Sequence, residues 1–300
     1  MVTARDVGVV GLGAMGLPMA KNLLRKSFNV TVFDVRNEPT KILEALGAKV
    51  ARSPREVGAA SSIALTSLPS SRQVEDVVLG ENGLIAGMSK EGVIVDTSTI
   101  DPAVSKKLAD KCQKRGIAML DAPVSGGTLG AEKGNLSIMV GGDKDSVDRC
   151  MDVFRAVGLN IYHVGPVGAG QVFKLINNML VAVNLVGVSE GLVLASKAGV
   201  DLELLYSVLK TSAGNSWALE QKFQKMAKDD FTPGFRVWLQ HKDLALAMNL
   251  ASQLGASLPV TSLACQMYEA AKATGLEDLD HSAVVKVLQR LSGLCLGDPQ

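Results

Sequence analysis

The run Gly168-Ala169-Gly170-Gln171-Val172-Phe173-Lys174-Leu175-Ile176-Asn177-Asn178 sets one lysine and two asparagines into an otherwise apolar helical pattern. An isolated ammonium is costly in such surroundings, so its presence there asks for a use. Lys174 and Asn178 stand at i and i+4 and share one helix face. Burial and a nearby cation would favour the neutral amine, which can exchange a proton with a substrate hydroxyl. The competing reading is a snorkelling lysine with a structural asparagine. A second group is Asp121-Ala122-Pro123-Val124-Ser125-Gly126-Gly127, which follows a strand pattern. Successive N–H groups at Ser125, Gly126 and Gly127, with the serine hydroxyl, can form a nest for a carboxylate. Read alone, the same residues make an ordinary glycine turn.

A third group opens the chain. Gly11-Leu12-Gly13-Ala14-Met15-Gly16 lies between a strand pattern and a helix pattern. Gly11 permits a tight turn, Gly13 lets the backbone approach a pyrophosphate, and Gly16 allows close helix packing, while the helix N-terminus offers free N–H groups to the anion. Asp34 follows Gly13 by about the twenty residues that this dinucleotide fingerprint requires. Its carboxylate can accept hydrogen bonds from ribose hydroxyls and repels a 2′-phosphate, so NAD is expected over NADP. Arg36, two residues on, is placed to meet an adenine face or a phosphate. A nicotinamide ring bound there supplies the cation that the Lys174 chemistry calls for.

These groups need a scaffold. Strand patterns run at Val7 to Gly11, Val30 to Asp34, Ser62 to Ser67, Val93 to Asp96, Ala118 to Leu120, Ser137 to Val140 and Ile161 to Val164, mostly with amphipathic helices between them. The alternation predicts an α/β Rossmann-type domain over residues 1–164, its largely parallel sheet covered by helices on both faces. After Gly170 the pattern becomes helical. One helix over about 169–198 is expected to leave that domain and enter an all-helical domain at 165–300 that handles substrate and oligomerisation. Its most apolar part, Met179 to Val193, is interrupted by Asn184 and Glu190, and is read as buried in the protein instead of spanning a bilayer.

The bulk composition narrows the partners. With 300 residues, 47% of them hydrophobic, and a net charge of +1, the chain has no strong field to recruit nucleic acid or an anionic membrane. Cys112, Cys150, Cys265 and Cys295 show neither a CxxC pair nor metal spacing, and are expected to be reduced thiols. The short run before Val7 leaves no room for a signal segment, so the expected location is cytoplasmic. His163, His241 and His281 are too scattered to propose a metal or a triad. Ser125 lacks the G-x-S-x-G context of a hydrolase nucleophile. Trp217 is expected to pack against a helix.

Taken in order, these motifs resemble the β-hydroxyacid dehydrogenases, the family of 3-hydroxyisobutyrate dehydrogenase and tartronate semialdehyde reductase. The likeness covers essentially the whole chain: Gly11 to Leu23 matches the opening signature, Asp121 to Gly127 the substrate motif, Gly168 to Asn178 the catalytic motif and Lys242-Asp243-Leu244 a cofactor-closing motif. The resemblance implies Lys174 as general acid/base, Ser125 and Gly126 as carboxylate anchors, Asn178 as substrate orienter and Lys242 near the nicotinamide. It implies Thr99 facing substrate and cofactor, Leu68-Pro69 beside the cofactor, and homodimers or homotetramers built on the helical domain. The implied reaction is NAD-dependent, metal-free oxidation of a small 3-hydroxy acid, or reduction of its semialdehyde. Gly214-Asn215-Ser216-Trp217 is similar to L-threonate-type dehydrogenases, whereas Phe231-Thr232-Pro233-Gly234-Phe235-Arg236 looks more like tartronate semialdehyde reductase. The 6-phosphogluconate dehydrogenases share the fold but carry a longer helical domain and a histidine beside the lysine. A non-catalytic dinucleotide-binding sensor or scaffold would lack the lysine.

Overall fold

The strands follow from where the β-branched residues sit. In the computed structural model, which describes Thr3 and residues 5 to 294, they are β1 (Asp6–Val10), β2 (Asn29–Phe33), β3 (Lys49–Val50), β4 (Ile63–Thr66), β5 (Val93–Asp96), β6 (Ala118–Asp121), β7 (Val124–Ser125), β8 (Leu136–Gly141) and β9 (Gly158–Gly165). Val7, Val9, Ile63, Leu65, Val93 and Val95 enter one hydrophobic core. Their neighbours Val10, Ala64 and Ile94 enter another. Successive side chains of a strand point to opposite faces, so the sheet is covered on both sides and its middle strands must be apolar throughout.

The strand order is β3-β2-β1-β4-β5-β6-β8-β7, with β9 beside β8. The first six in that order are parallel; β8 runs antiparallel to β6 and β7. Val10 is in register with Phe33 and Thr66, Thr66 with Asp96, and Asp96 with Asp121. The loops after these strands therefore gather at one edge, beside the point between β1 and β4 where the order reverses and ligands of such sheets bind. Two strands, β3 and β7, escape a reading by periodicity. Each is two residues long and exists because a neighbour pairs with it.

The chain divides into two compact units, Met1–Lys174 and Leu175–Gln300. The helix Ala169–Lys197 runs unbroken through the division, and its 29 residues give a length of about 44 Å. The second unit holds the helices Leu202–Leu209, Trp217–Ala227, Val237–Leu254, Pro259–Ala273 and Val285–Leu291. Among its described residues there is no strand, only an isolated bridge between Arg236 and Asp280. Asp201 and Ser216 cap two of these helices by accepting first-turn N–H groups.

Two expectations need correcting. The long helix is not simply a buried one: Ile176, Leu180 and Leu194 are exposed, and only 39% of its most apolar window is buried within the chain. By length and composition alone it would pass as a membrane span. Trp217 does not pack into a helix interface, but lies 56% exposed at the first residue of its helix. The preceding Ser216 explains the local sequence, since its hydroxyl caps Leu219 N–H. Cys112 and Cys150 are buried free thiols and Cys265 is half-buried and free; Cys295 lies outside the described residues.

Candidate active site

In the first unit, β1 ends at Val10 and Gly11 turns the chain with φ +89°. A Cβ there would lie 2.3 Å from the Ser67 carbonyl oxygen, and one on Gly16 would lie 1.9 Å from the Gly11 carbonyl oxygen. Both glycines are thus required by the fold of the loop itself. Gly13 differs, because no protein atom lies within 4 Å of its missing Cβ. The helix Gly16–Arg25 begins after Met15 without a side-chain cap; Leu17 N–H donates to the Gly13 carbonyl at 3.2 Å and Pro18 has no N–H, so an anion would meet Gly16 and the loop before it. Leu12 contributes backbone only, its side chain being buried, and Ala14 is exposed. Asn22 of the same helix donates to the Ala131 carbonyl at 2.7 Å.

Asp34 follows the last residue of β2. One carboxylate oxygen accepts the Leu12 N–H at 2.6 Å, and the other accepts the Arg36 N–H at 2.8 Å. The Arg36 guanidinium folds back onto the same carboxylate, with Nε 3.1 Å away. Burial pushes the carboxyl up, but the hydrogen bonds from Arg36 and Leu12 outweigh it and leave Asp34 below its ordinary value. A carboxylate has about four lone-pair positions, and here two take backbone N–H groups and two the exposed Arg36 guanidinium, so ribose hydroxyls would take the places of the guanidinium. An open approach over Gly13, an uncapped helix start and an oriented carboxylate suit the pyrophosphate and ribose of a dinucleotide.

The other loops at this edge are bonded to one another. The Leu68 N–H donates to the Ser98 hydroxyl at 2.9 Å, and the Leu68 side chain lies beside Gly11. Pro69 is exposed and Thr99 half-buried. Ser125 ends β7, and Gly126 and Gly127 follow with φ of +129° and +63°. These positive values are open only to glycine-like backbone, and Gly126 and Gly127 are exposed at the start of the helix Gly127–Lys133. Asp121 at the end of β6 is fully buried and accepts the N–H groups of Gly168 and Gln171. Burial pushes its carboxyl up to about 6 against those two bonds. Lys174, in the second turn of the long helix, is 8% exposed, so it does not snorkel.

In the second unit, Asn178 is buried one turn beyond Lys174, and its amide donates to Asp243. The other Asp243 oxygen pairs with the Lys242 ammonium at 2.9 Å. Gln240 donates to the Asn178 carbonyl at 3.0 Å and faces His281 Nδ1 at 3.2 Å. Asp243 thus joins the two residues singled out in this unit, a role that the sequence did not mark beyond its place in the Lys242-Asp243-Leu244 motif. His241 sits in a surface cluster with Glu269 and Lys272, and His163 bonds the Gly142 carbonyl. Among the described residues no group of three His, Cys, Asp or Glu could hold a metal.

Comparison with known proteins completes the picture. Residues 6–165 match the model of the NAD binding domain of 6-phosphogluconate dehydrogenase, and residues 168–288 that of the NAD-binding domain of NADP-dependent 3-hydroxyisobutyrate dehydrogenase. The chain is 40% identical to 2-(hydroxymethyl)glutarate dehydrogenase of Eubacterium barkeri, over 98% of each chain. It is 38% identical to the NAD-dependent L-serine dehydrogenase of Pseudomonas aeruginosa, over 96% of this chain and 99% of that one. The 3-hydroxyisobutyrate dehydrogenase of Mycobacterium tuberculosis, solved with L-serine, superposes with a TM-score of 0.88 at 34% identity, covering 96% of this chain and all of the other. The chain is therefore an NAD-binding oxidoreductase acting on hydroxy acids, and it belongs to the β-hydroxyacid dehydrogenase family.

Proposed function

We propose that this enzyme oxidises the alcohol carbon β to the carboxylate of a small acid, reversibly and with NAD in preference to NADP. Ser125, Gly126 and Gly127 hold the substrate carboxylate through their N–H groups and the serine hydroxyl. Lys174, as the neutral amine, takes the hydroxyl proton and returns it in the reverse direction. Asn178 orients the substrate hydroxyl, Thr99 borders the reacting carbon, and Lys242 lies toward the nicotinamide end. Gly11 to Gly16, Asp34, Leu68 and Pro69 hold the dinucleotide. When bound, NAD supplies the hydride acceptor.

The observation that carries this reading is a buried lysine in the second turn of a helix whose first turn is bonded to the loop after β5 and to the end of β6. The substrate class draws support from the relatives: 2-(hydroxymethyl)glutarate, L-serine, 3-hydroxyisobutyrate and 2-hydroxy-3-oxopropionate all carry an alcohol or aldehyde carbon next to the carbon bearing the carboxylate. We propose further that the chain self-associates through its helical unit.

The test is steady-state turnover on 3-hydroxyisobutyrate, glycerate, L-serine, L-threonate and 2-(hydroxymethyl)glutarate, with Lys174→Ala and Lys174→Arg alongside. Loss of a general base lowers the rate by about 10² to 10⁴. Arginine should not restore it, because guanidinium stays protonated. NAD binding should survive in both variants. A Lys174→Ala enzyme with wild-type kcat would assign the proton to another group, and lost NAD binding would make Lys174 a cofactor or structural residue.

A further inference from the structure

We propose that Gln171 and Asp121 are positioning residues that set Lys174 against the Thr99 loop; the proposal rests on the reading of Lys174 as the proton-transfer group.

Gln171 is completely buried and uses both ends of its amide. Its Oε1 accepts the Ile100 N–H at 3.0 Å, and its Nε2 donates to the Ser98 carbonyl at 2.9 Å. The two bonds flank Thr99. The backbone N–H of the same residue donates to Asp121 Oδ2 at 2.9 Å, while Asp121 Oδ1 accepts the Gly168 N–H at 2.7 Å. The first turn of the helix is thus held to the end of β6 and to the loop after β5, and Lys174 follows one turn later.

The neighbouring glycines make this arrangement specific. A Cβ on Gly141 would lie 2.4 Å from Asp121 Oδ1; one on Gly170 would lie 2.9 Å from Oδ2 and 2.3 Å from the Met139 carbonyl oxygen. Both positions are kept bare so that a carboxylate and a helix end can share one small space. First-turn N–H groups need acceptors, but a solvent-exposed serine at the cap would meet that need without burying a charge. A buried carboxylate carries a desolvation cost that a mere cap does not require. What this pair adds is rigidity: four bonds in fixed directions define both the axial position and the rotation of the helix. A misplacement of about 1 Å at a reacting group costs up to a hundredfold in rate.

The experiment is a double-mutant cycle. Gln171→Met keeps the length of the side chain and removes both bonds; Asp121→Asn keeps the shape and sets an amide N–H against one of the two backbone donors. Each variant is assayed on the five acids named above, alone and combined with Lys174→Ala, by single-turnover formation of reduced nicotinamide; NAD affinity is measured by titration. Each is expected to lower kcat by about tenfold to a hundredfold. NAD affinity should stay within about twofold, and in the Lys174→Ala background the additional loss should also fall below about twofold, because residues acting through one group are not additive. An undiminished loss in that background would overturn the proposal, since the residues would then act independently of the lysine. Unchanged kcat in both single variants would overturn it as well. Wild-type turnover by Lys174→Ala alone would sink the lysine reading itself. Should Gln171→Met fail to bind NAD, Gln171→Glu, which keeps the acceptor for Ile100 and removes the donor to Ser98, takes its place with the same expectations.

Discussion

Asp34 serves the loop, and in the proposed reading also the cofactor, with one carboxylate. It fixes the Leu12 N–H within the glycine turn and holds Arg36 by a backbone and a side-chain bond. The arginine is thereby spent on the carboxylate that repels a 2′-phosphate, while its own side chain is 60% exposed. Changing Asp34 to Ser releases Arg36 and removes the acceptor for the ribose hydroxyls. A hydrogen bond to a charged group is worth about 1.5 to 3 kcal/mol, so kcat/KM for NAD should fall by about tenfold to a hundredfold. The same change should bring NADP close to or above NAD. Parallel kinetics with the two cofactors check this, and a variant still strongly selective for NAD would show that Asp34 does not discriminate.

The turn that begins at His281 ties several elements of the helical unit together. Asp280 is fully buried and pairs with the Lys222 ammonium at 2.8 Å; it also accepts the Gly234 and Ser282 N–H groups and the Ser282 hydroxyl. The segment from Phe231 to Arg236, suggestive only as a sequence likeness, is therefore shaped by one carboxylate. Burial by itself would raise Asp280, but the charge of His281 when protonated, the Lys222 ammonium and the hydrogen bonds outweigh it and hold the carboxyl low. Burial holds His281 neutral, down to about 3, against the pull of Asp280. An imidazole that is neutral when folded and protonated when unfolded contributes stability above its usual value of 6.5 and loses it as the pH falls toward about 3. Asp280 acts in the same direction below its usual value. The melting temperature should therefore drop as the pH is lowered from about 6.5 to 4. In His281→Gln, which still bonds Gln240 and does not titrate, that drop should be smaller. Equal slopes for the two proteins in calorimetry would exclude His281 as the source.

At the scale of the molecule, several apolar side chains along the long helix stand exposed. Ile176, Leu180, Val183, Gly187, Gly191 and Leu194 recur at helical spacing on one face. Ile176, Leu180 and Leu194 are 48%, 52% and 71% exposed, and nothing lies within 4 Å of the missing Cβ of Gly187 or Gly191. An apolar stripe of this size on a chain with net charge +1 calls for a cover. The proposed self-association would meet it with a second copy of the same helix, whose small residues match by the self-complementarity of a twofold interface. Sedimentation velocity should find a dimer or larger species, and Leu180→Glu combined with Leu194→Glu should shift it toward monomer. A wild-type chain that sediments as a monomer at micromolar concentration would refute the self-association.

What could be read without coordinates was whatever depends on near neighbours in the chain. The glycine fingerprint with Asp34, the two-residue alternation of β1, β4 and β5, the i and i+4 relation of Lys174 to Asn178, and the long helical run are all short-range patterns, so composition and spacing alone determine them. The pairings that orient those residues join positions far apart in sequence. Gln171 meets Ser98 and Ile100, Asp121 meets Gly168, Asn178 meets Asp243, and Lys222 meets Asp280. No local pattern marks a buried amide that bonds a loop some seventy residues away. The exposure of Trp217 and of the stripe on the long helix has the same origin, because an apolar side chain carries no sign of whether another element arrives to cover it. Only the packing of strand ends, helix starts and bare glycines at one sheet edge decides that, since each buried polar group must find its partner in the space that folding leaves.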